Sequence, residues 1–262
     1  MLDDLQYYLS TWLTAGVGRS VWFDSLLGLS LKNELVKSVP LAACFLSAWH
    51  SGEDRVRLAR RRILLIAIVA AIAASGLSRS LSESNSRPRP YVLSQRVYQF
   101  SDGEAIEQPR RPLPVPMDNA SQERVAALLE GDVPQNDFQS APSDHASLFF
   151  ALSLGITMAW PAAGGPALLW TLFVIVVPRL WFGLHSPADI VTGCALGASG
   201  LLALRLVFDR WAATPLDRIT TFLSQREHLS SPLLFVILFE ICVTFDHVKA
   251  LGSAFKSRVL GW

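Results

Sequence analysis

The sequence predicts an all-α integral membrane protein built as a bundle of six membrane-spanning helices. Of its 262 residues, 51% are hydrophobic and only 17% are charged, whereas a soluble domain carries about a quarter charged residues. The apolar residues are gathered in blocks that polar stretches separate, which is typical of a chain that crosses a bilayer several times. The net charge of +1 and the lack of a basic tract with interleaved aromatics predict no nucleic-acid partner.

The elements follow from the apolar blocks in chain order. Residues 1–33 are amphipathic and predict one or two helices that lie at the membrane interface. The last block is the weakest because it is short and contains Glu240. Tryptophans stand at several predicted ends, where their rings anchor at the membrane surface. The predicted spans cover residues 34–50, 63–77, 146–160, 163–180, 188–208 and 232–245.

Orientation follows from five arginines in a short predicted loop over residues 52–62. The positive-inside rule places this loop in the cytoplasm, so residues 79–144 and 179–187 lie on the outer side. The long insert 91–141 is either a solvated loop or a lid over the outer face. Within it, the pattern predicts a short helix over 119–131 and an extended Pro-rich segment over 109–116.

Three polar segments converge on this outer face, and their side chains suit metal-free chemistry on a phosphate. Guanidinium groups present a planar fork of donors that fits phosphate oxygens. Two histidines suit a reaction that needs a nucleophile and a general acid. Neither the acidic residues and histidines nor the three cysteines have metal-ligand spacing, so we expect no metal and no cofactor. The segments are Arg79 with Arg87-Pro88-Arg89-Pro90, Pro142-Ser143-Asp144-His145, and Arg179-x5-His185-x3-Asp189.

These three motifs, in this order, resemble those of the type 2 phosphatidic acid phosphatase superfamily, in its membrane lipid phosphatase branch. The family pattern is Lys-x6-Arg-Pro, then Pro-Ser-Gly-His, then Ser-Arg-x5-His-x3-Asp. The third motif matches at Arg179, His185 and Asp189, and the second at its Pro, Ser and His. The first matches at its Arg-Pro end, and the resemblance covers about residues 34–208.

The resemblance implies a role for each matching residue. His185 would attack phosphorus and become a phosphohistidine, with Asp189 orienting it. His145 would protonate the leaving oxygen and then activate water. The phosphate oxygens would be bound by Arg87 or Arg89, by Arg179, and by Ser143 with the N–H groups of a helix that begins near it.

Three positions depart from the family pattern. The lysine is absent, and Arg79, one helical turn from Ser82, is expected to replace it at the phosphate. The glycine of the second motif is Asp144, which we expect to turn towards an arginine or to contact the substrate or an ion. The serine before Arg179 is Pro178, which removes one possible hydrogen bond to phosphate.

Asp189 also has a structural interpretation. Ser186-Pro187-Ala188-Asp189 is typical of a helix start, with Ser186 as N-cap and Asp189 at the third position. Likewise, the segment 87–90 taken alone is typical of a solvated linker. Only the joint pattern favours catalysis, and the capping and catalytic roles of Asp189 are compatible.

The sequence thus predicts a catalytic core over 34–208, followed by a cytoplasmic loop and a last span over 209–262. We expect a lipid phosphate or diphosphate as substrate and the bacterial inner membrane as the location, with the site on the periplasmic or other extracytoplasmic side. The Ser-Asp-His form of the second motif resembles the undecaprenyl diphosphatase branch. Phosphatidate, phosphatidylglycerophosphate and lipid A phosphates stay open. So do a haloperoxidase, a non-catalytic lipid-binding or transport role, and the oligomeric state.

Overall fold

The computed structural model describes residues 2–85, 87–92, 98–101, 104–107 and 138–243. Within them the chain forms helices joined by short turns, together with one strand pair. The helices are α1 Leu2–Thr14, α2 Val21–Lys32, α3 Glu34–His50, α4 Asp54–Ser84, α5 Asp144–Ala159, α6 Pro161–Trp170, a π-helical turn Thr171–Val176, α7 Val177–Trp181, α8 Pro187–Trp211, α9 Ala213–Ser224 and α10 Glu227–Cys242.

The predicted membrane helices are present as helices. Three helical segments of the described chain are long and apolar enough to cross a bilayer: Asp54–Ser84, Pro161–Trp181 and Pro187–Trp211. The apolar helix Asp144–Ala159 is shorter, and the first and last predicted spans form helices of 17 and 16 residues. The helical class is therefore confirmed, whereas the count of six spans stays a prediction.

Two predicted loops are helical instead. The arginine-rich segment 52–62 belongs mostly to α4, which begins at Asp54, because arginine is a good helix former and Asp54 supplies an acidic first turn. Part of the predicted loop after residue 208 is the amphipathic helix α9. Hydropathy marks where an apolar stretch ends, but the backbone hydrogen bonds of a helix continue into the polar flank.

The described part of the insert contains the exception to the helical architecture. Strands β1 Tyr98–Ser101 and β2 Glu104–Glu107 pair antiparallel, with Tyr98 opposite Glu107. The predicted short helix over 119–131 and the extended segment 109–116 lie outside the described residues.

One compact unit holds the three motif segments and comprises Met1–Leu31, Ala74–Ser147 and Leu172–Leu196. The predicted interfacial helices α1 and α2 belong to it. The indole N–H of Trp181 donates to Asp24 at 2.8 Å, and the Trp181 ring packs edge-on against Phe23 with centroids 5.0 Å apart. The N-terminal helices are therefore attached to the end of α7, close in sequence to Arg179.

The second unit comprises Lys32–Ala73, Leu148–Thr171 and Gly197–Trp262. Its core is built from small and branched side chains of α4 and α8 with Leu216 of α9. Arg61 is buried there and donates to the Trp49 carbonyl at 2.9 Å and to Glu227 at 2.6 Å. A buried guanidinium needs such partners, since an unpaired charge in an apolar region is costly.

Two adjacent glycines of α6, Gly164 and Gly165, give a test of packing in the second unit. A Cβ on Gly164 would overlap the backbone Cα of Thr157, whereas a Cβ on Gly165 would meet nothing within 4 Å. We expect Gly164→Ala to lower the free energy of unfolding by roughly 1–3 kcal/mol through overpacking. Gly165→Ala should be neutral or stabilising, since alanine favours helix by about 1 kcal/mol. Thermal unfolding of both variants in detergent checks this, and equal melting temperatures would contradict the packing.

Candidate active site

The three motif segments meet inside the first unit, as the sequence predicts. Backbone hydrogen bonds connect them directly, so that their arrangement depends on the main chain rather than on flexible side chains. Three such bonds, each 3.0 Å long, run from the Ser140 N–H to the Arg87 carbonyl, from the Tyr91 N–H to the Gly183 carbonyl, and from the Ser143 N–H to the Asp189 carbonyl.

A tight loop between α7 and α8 positions His185. The loop turns at Gly183, whose φ of 64° lies in the left-handed region that glycine adopts readily. The N–H groups of Leu184 and His185 both donate to the Arg179 carbonyl, at 2.9 and 3.3 Å. The imidazole of His185 is buried, with 4% of its surface exposed. Arg179 and His185 are therefore held together by the backbone.

The Nδ1 atom of His185 lies 2.9 Å from the carbonyl oxygen of Ser140. A carbonyl only accepts, so Nδ1 must carry the proton of the neutral ring. The lone pair is then on Nε2. The carboxylate of Asp189 is 4.0 Å from Nδ1, beyond hydrogen-bond distance. The expected direct orientation of His185 by Asp189 is thus replaced by a contact through Ser140.

Asp189 is almost fully buried, and its Oδ2 atom accepts two hydrogen bonds. One comes from the Ser140 hydroxyl at 2.6 Å and the other from the Ser186 N–H at 2.7 Å. In return, the Ser186 hydroxyl accepts the Asp189 N–H at 3.3 Å. This reciprocal capping confirms the predicted helix start. Asp189 therefore caps α8 and, through Ser140, also fixes the residue that holds His185.

The arginines give the site a positive field. Arg179 is buried and donates to the Ile175 carbonyl of the π-helical turn at 2.8 Å. Burial lowers the pKa of His185 well below its ordinary value of 6.5, and the charges of Arg89 and Arg179 lower it further. The carboxylate of Asp144 acts in the opposite direction but does not outweigh them. At neutral pH the His185 ring is therefore uncharged.

The other two predicted arginines have protein partners. Arg87 donates to the side-chain oxygen of Gln6 on α1 and lies 3.8 Å from Asp189 Oδ1. Arg79 is largely exposed, and its guanidinium pairs with Glu83 at 3.4 Å on the same helix. The structure gives Arg79 this partner one turn along α4, so its predicted replacement of the family lysine stays a prediction.

The second motif forms the start of α5. Ser143 is buried, and its hydroxyl accepts the Ala146 N–H at 3.3 Å as an N-cap. Asp144 acts electrostatically on Arg179, while its hydrogen bonds are made to His145, so the expected arginine or substrate contact stays a prediction. Its Oδ1 accepts both the backbone N–H of His145 at 2.7 Å and the ring Nδ1 of His145 at 2.8 Å. Two of the helix N–H groups expected to bind phosphate are therefore already used within the protein.

Three residues of the site escape the sequence analysis. Ser140 acts through its carbonyl, which every residue has, and through a hydroxyl that no motif marks. Gln6 lies in a helix predicted only as interfacial. Gly193 allows α8 to approach the second motif, since a Cβ there would lie 2.5 Å from the Ser143 carbonyl oxygen. Of these three residues, only Gly193 has a signal in the sequence, because it is a glycine one helical turn after Asp189.

Comparison with known proteins identifies the family. The model of the PAP2 superfamily matches residues 62–212, which is more than half of the chain and includes all three motifs. The chain belongs to the PAP2 superfamily. The resemblance to type 2 phosphatidic acid phosphatases is therefore confirmed, and the apolar helices are those of a membrane protein of this family.

Two relatives of the chain are bacterial proteins. The chain is 31% identical over 112 residues to the "Bacitracin transport permease protein BcrC" of Bacillus licheniformis, covering 42% of this chain and 49% of that protein. It thus spans about half the length of that relative. It is 24% identical over 210 residues to the "Putative undecaprenyl-diphosphatase YbjG" of Escherichia coli (strain K12), covering 79% and 85%. No solved structure matches the chain.

The Ser140 hydroxyl provides a test of the site's construction. Ser140→Ala keeps the carbonyl that holds His185 but removes one of two donors to the buried carboxylate of Asp189. We expect the free energy of unfolding to fall by roughly 1–3 kcal/mol, measured by thermal unfolding in detergent. Ser80→Ala is the control, because Ser80 is exposed and its hydroxyl donates to the Gly76 carbonyl of its own helix. An equally small effect of both substitutions would show that the Ser140 contact contributes little.

Proposed function

We propose that the protein is a lipid phosphatase that hydrolyses a polyprenyl diphosphate, such as undecaprenyl diphosphate, through a phosphohistidine on His185. The observation that carries the proposal is the buried His185 ring. Its Nδ1 is fixed on the Ser140 carbonyl at 2.9 Å, and its charge is suppressed by burial and by Arg89 and Arg179. A neutral imidazole in one tautomer, set among guanidinium groups, is what nucleophilic attack on a phosphate requires.

The first step forms a bond between His185 Nε2 and phosphorus while the bond to the leaving oxygen breaks. Nδ1–H keeps its hydrogen bond to Ser140, so the ring becomes cationic as it is phosphorylated. Arg179 and Arg89 oppose this charge on the ring, but they stabilise the negative charge that spreads over the phosphoryl oxygens in the transition state. His145 donates a proton to the leaving oxygen and then accepts one from the water that attacks the phosphohistidine.

A lipid substrate is supported by the surface of α8 beside the site. Asp189 is 1% exposed, whereas Val191, two residues later, is 66% exposed. One face of the helix start therefore belongs to the site, while an adjacent face presents an apolar side chain to the outside. In a membrane protein such a face contacts lipid tails, so a phosphate at the site can belong to a molecule whose tails stay in the bilayer.

The proposed location is the bacterial inner membrane with the site on the extracytoplasmic side. Helix α4 is 31 residues long, or roughly 45 Å, enough to cross the membrane. Its arginine-rich first turns belong in the cytoplasm by the positive-inside rule. The segments with Arg87 and Arg89 follow its other end. The name of the Escherichia coli relative supports a diphosphate substrate, while phosphatidate, phosphatidylglycerophosphate and lipid A phosphates remain alternatives.

A non-catalytic transport role is the second candidate, favoured by the printed name of the Bacillus relative. Transport of a lipid phosphate would need the arginines but no nucleophile. The fixed tautomer of His185 favours catalysis over transport.

The first experiment measures phosphate release in detergent with EDTA, across undecaprenyl diphosphate and the alternative lipid phosphates. We expect release from the diphosphate to exceed release from the others, and His185→Ala to reduce it by at least about 1,000-fold because the nucleophile is lost. His228→Ala is the matched control, since His228 is an exposed histidine on α10. Full activity of the folded His185→Ala variant would refute the mechanism, and activity with no lipid phosphate would favour transport.

The pKa of His185 predicts the acid side of the pH profile. Because that pKa is lowered, the ring stays neutral as pH falls through 6.5, and kcat/KM should not decline there. Arg89→Gln removes a charge that lowers the pKa, so its acid limb should move towards neutral pH. Arg19→Gln, an exposed arginine far along the chain from the motifs, should leave the limb unchanged. Steady-state kinetics from about pH 5 to about pH 8 tests this, and an unshifted limb in Arg89→Gln would contradict it.

A further inference from the structure

The two histidines of the site differ in what their Nδ1 atoms contact. His185 donates Nδ1–H to a backbone carbonyl, that of Ser140, at 2.9 Å. His145 has its Nδ1 2.8 Å from a carboxylate oxygen, that of Asp144. A carboxylate, like a carbonyl, can only accept, so each ring carries its Nδ1 proton and exchanges protons or phosphorus through Nε2. The partners differ in charge, however, and a negatively charged partner favours the protonated form of a ring.

From this contrast we propose that Asp144 is the positioning residue of the general acid, and that it assigns the acid role to His145. The inference rests on the proposed phosphatase function. The general family pattern has glycine at this position, and this chain carries the Ser-Asp-His form of the motif instead. In this proposal Asp144, contrary to the prediction from the sequence, does not bind the phosphate but acts on the reaction through His145.

The geometry gives the carboxylate a fixed position. The same oxygen, Oδ1, accepts the His145 backbone N–H at 2.7 Å and the ring Nδ1–H at 2.8 Å. Asp144 is the first residue of α5, where the helix N-terminus also favours a negative charge. Backbone and helix therefore hold the carboxylate in place, and the carboxylate in turn fixes the plane and tautomer of the imidazole.

The charges that surround the pair explain why a carboxylate is useful. Arg89, which follows α4, and Arg179 on α7 both act on His185 in the adjacent loop, and Asp144 acts on Arg179 and His185 in turn. The Asp144 carboxylate places a negative charge in direct hydrogen-bond contact with His145 Nδ1, whereas the hydrogen-bond partner of His185 Nδ1 is a neutral carbonyl. A directly bonded carboxylate favours the protonated form of an imidazole.

The proton balance follows from this arrangement. As His185 Nε2 bonds to phosphorus and the leaving P–O bond breaks, the proton on His145 Nε2 passes to the leaving oxygen. The water oxygen then bonds to phosphorus as the Nε2–P bond of His185 breaks, which releases phosphate and returns His185 to its neutral form. The neutral His145, still bonded to Asp144 through Nδ1–H, takes a proton from that water. His145 is cationic again at the end of the cycle, and Asp144 stays ionised throughout.

The test compares phosphoenzyme formation, followed by rapid quench, with two soluble substrates that share a phosphoryl group. An alkyl phosphate has a poor leaving group that needs the proton, whereas p-nitrophenyl phosphate has a good leaving group that does not. We expect Asp144→Asn to slow formation at least about 10-fold with the alkyl phosphate and less than about 2-fold with the aryl phosphate. The alkaline limb of the pH–rate profile of this variant should also move to lower pH, because the amide of asparagine carries no negative charge.

Asp144→Gly, which restores the family residue, provides a second variant should the asparagine disturb the helix start. Asp54→Asn is the matched control, because Asp54 is likewise the first residue of a helix but is exposed and pairs with Arg57 instead of a histidine. It should change neither the leaving-group dependence nor the pH profile. Equal loss with both substrates and an unmoved alkaline limb would overturn the proposal and leave Asp144 a purely structural role. Failure of the phosphatase proposal itself would show separately, as full activity of His185→Ala.

Discussion

The buried carboxylate of Asp189 is the contact on which the arrangement of the site depends. It accepts the Ser140 hydroxyl at 2.6 Å and the Ser186 N–H at 2.7 Å, and the backbone carbonyl of the same residue accepts the Ser143 N–H at 3.0 Å. One residue thus connects the start of α8 with the segment before α5. A carboxylate with almost no solvent exposure is stable only with such donors, so its burial and the convergence of the motifs depend on each other.

Ser140 connects Asp189 to His185, the proposed nucleophile. Its hydroxyl bonds Asp189, its carbonyl bonds His185 Nδ1, and its N–H bonds the Arg87 carbonyl. Each of these contacts constrains the same short segment from a different direction. The ring of His185, the proposed nucleophile, is therefore oriented by a backbone carbonyl, and Asp189 acts on it through Ser140. A neutral partner on Nδ1 also leaves the ring uncharged in its positive surroundings.

The sequence predicts those features that local patterns encode. The helix 34–50 is found with the predicted bounds because Asn33 caps it and an apolar block fills it. The start at Ser186 is found because capping residues have a fixed spacing. The arginine-rich segment 52–62 is predicted as a loop because hydropathy detects only the apolar residues of a span. It does not detect that the helical backbone continues into the polar flank. The contacts of Ser140 and of Asp144 depend on side-chain direction and on a carbonyl, which one sequence cannot specify.

For the same reason, the sequence alone does not predict which groups the arginines of the site contact. The order and spacing of the family motifs predict that the segments with Arg89 and Arg179 lie near His185, and both arginines act on His185 in the structure. The spacing gives no information on which groups Arg79 and Arg87 contact, since a long arginine side chain can reach several acceptors. The structure pairs Arg79 with Glu83 and Arg87 with Gln6. Gln6 brings the N-terminal helix into contact with the motif segments, which no motif indicates.

The site and isomer of phosphorylation would test the proposed phosphohistidine directly. The protein would be mixed with lipid diphosphate, quenched with base rather than acid, and digested for mass spectrometry and phosphohistidine isomer analysis. We expect a phosphoryl group on Nε2 of His185, labile to acid and stable to base, because Nδ1 donates to the Ser140 carbonyl. Phosphorylation of His145, an Nδ1 isomer at His185, or turnover without any phosphohistidine would contradict it.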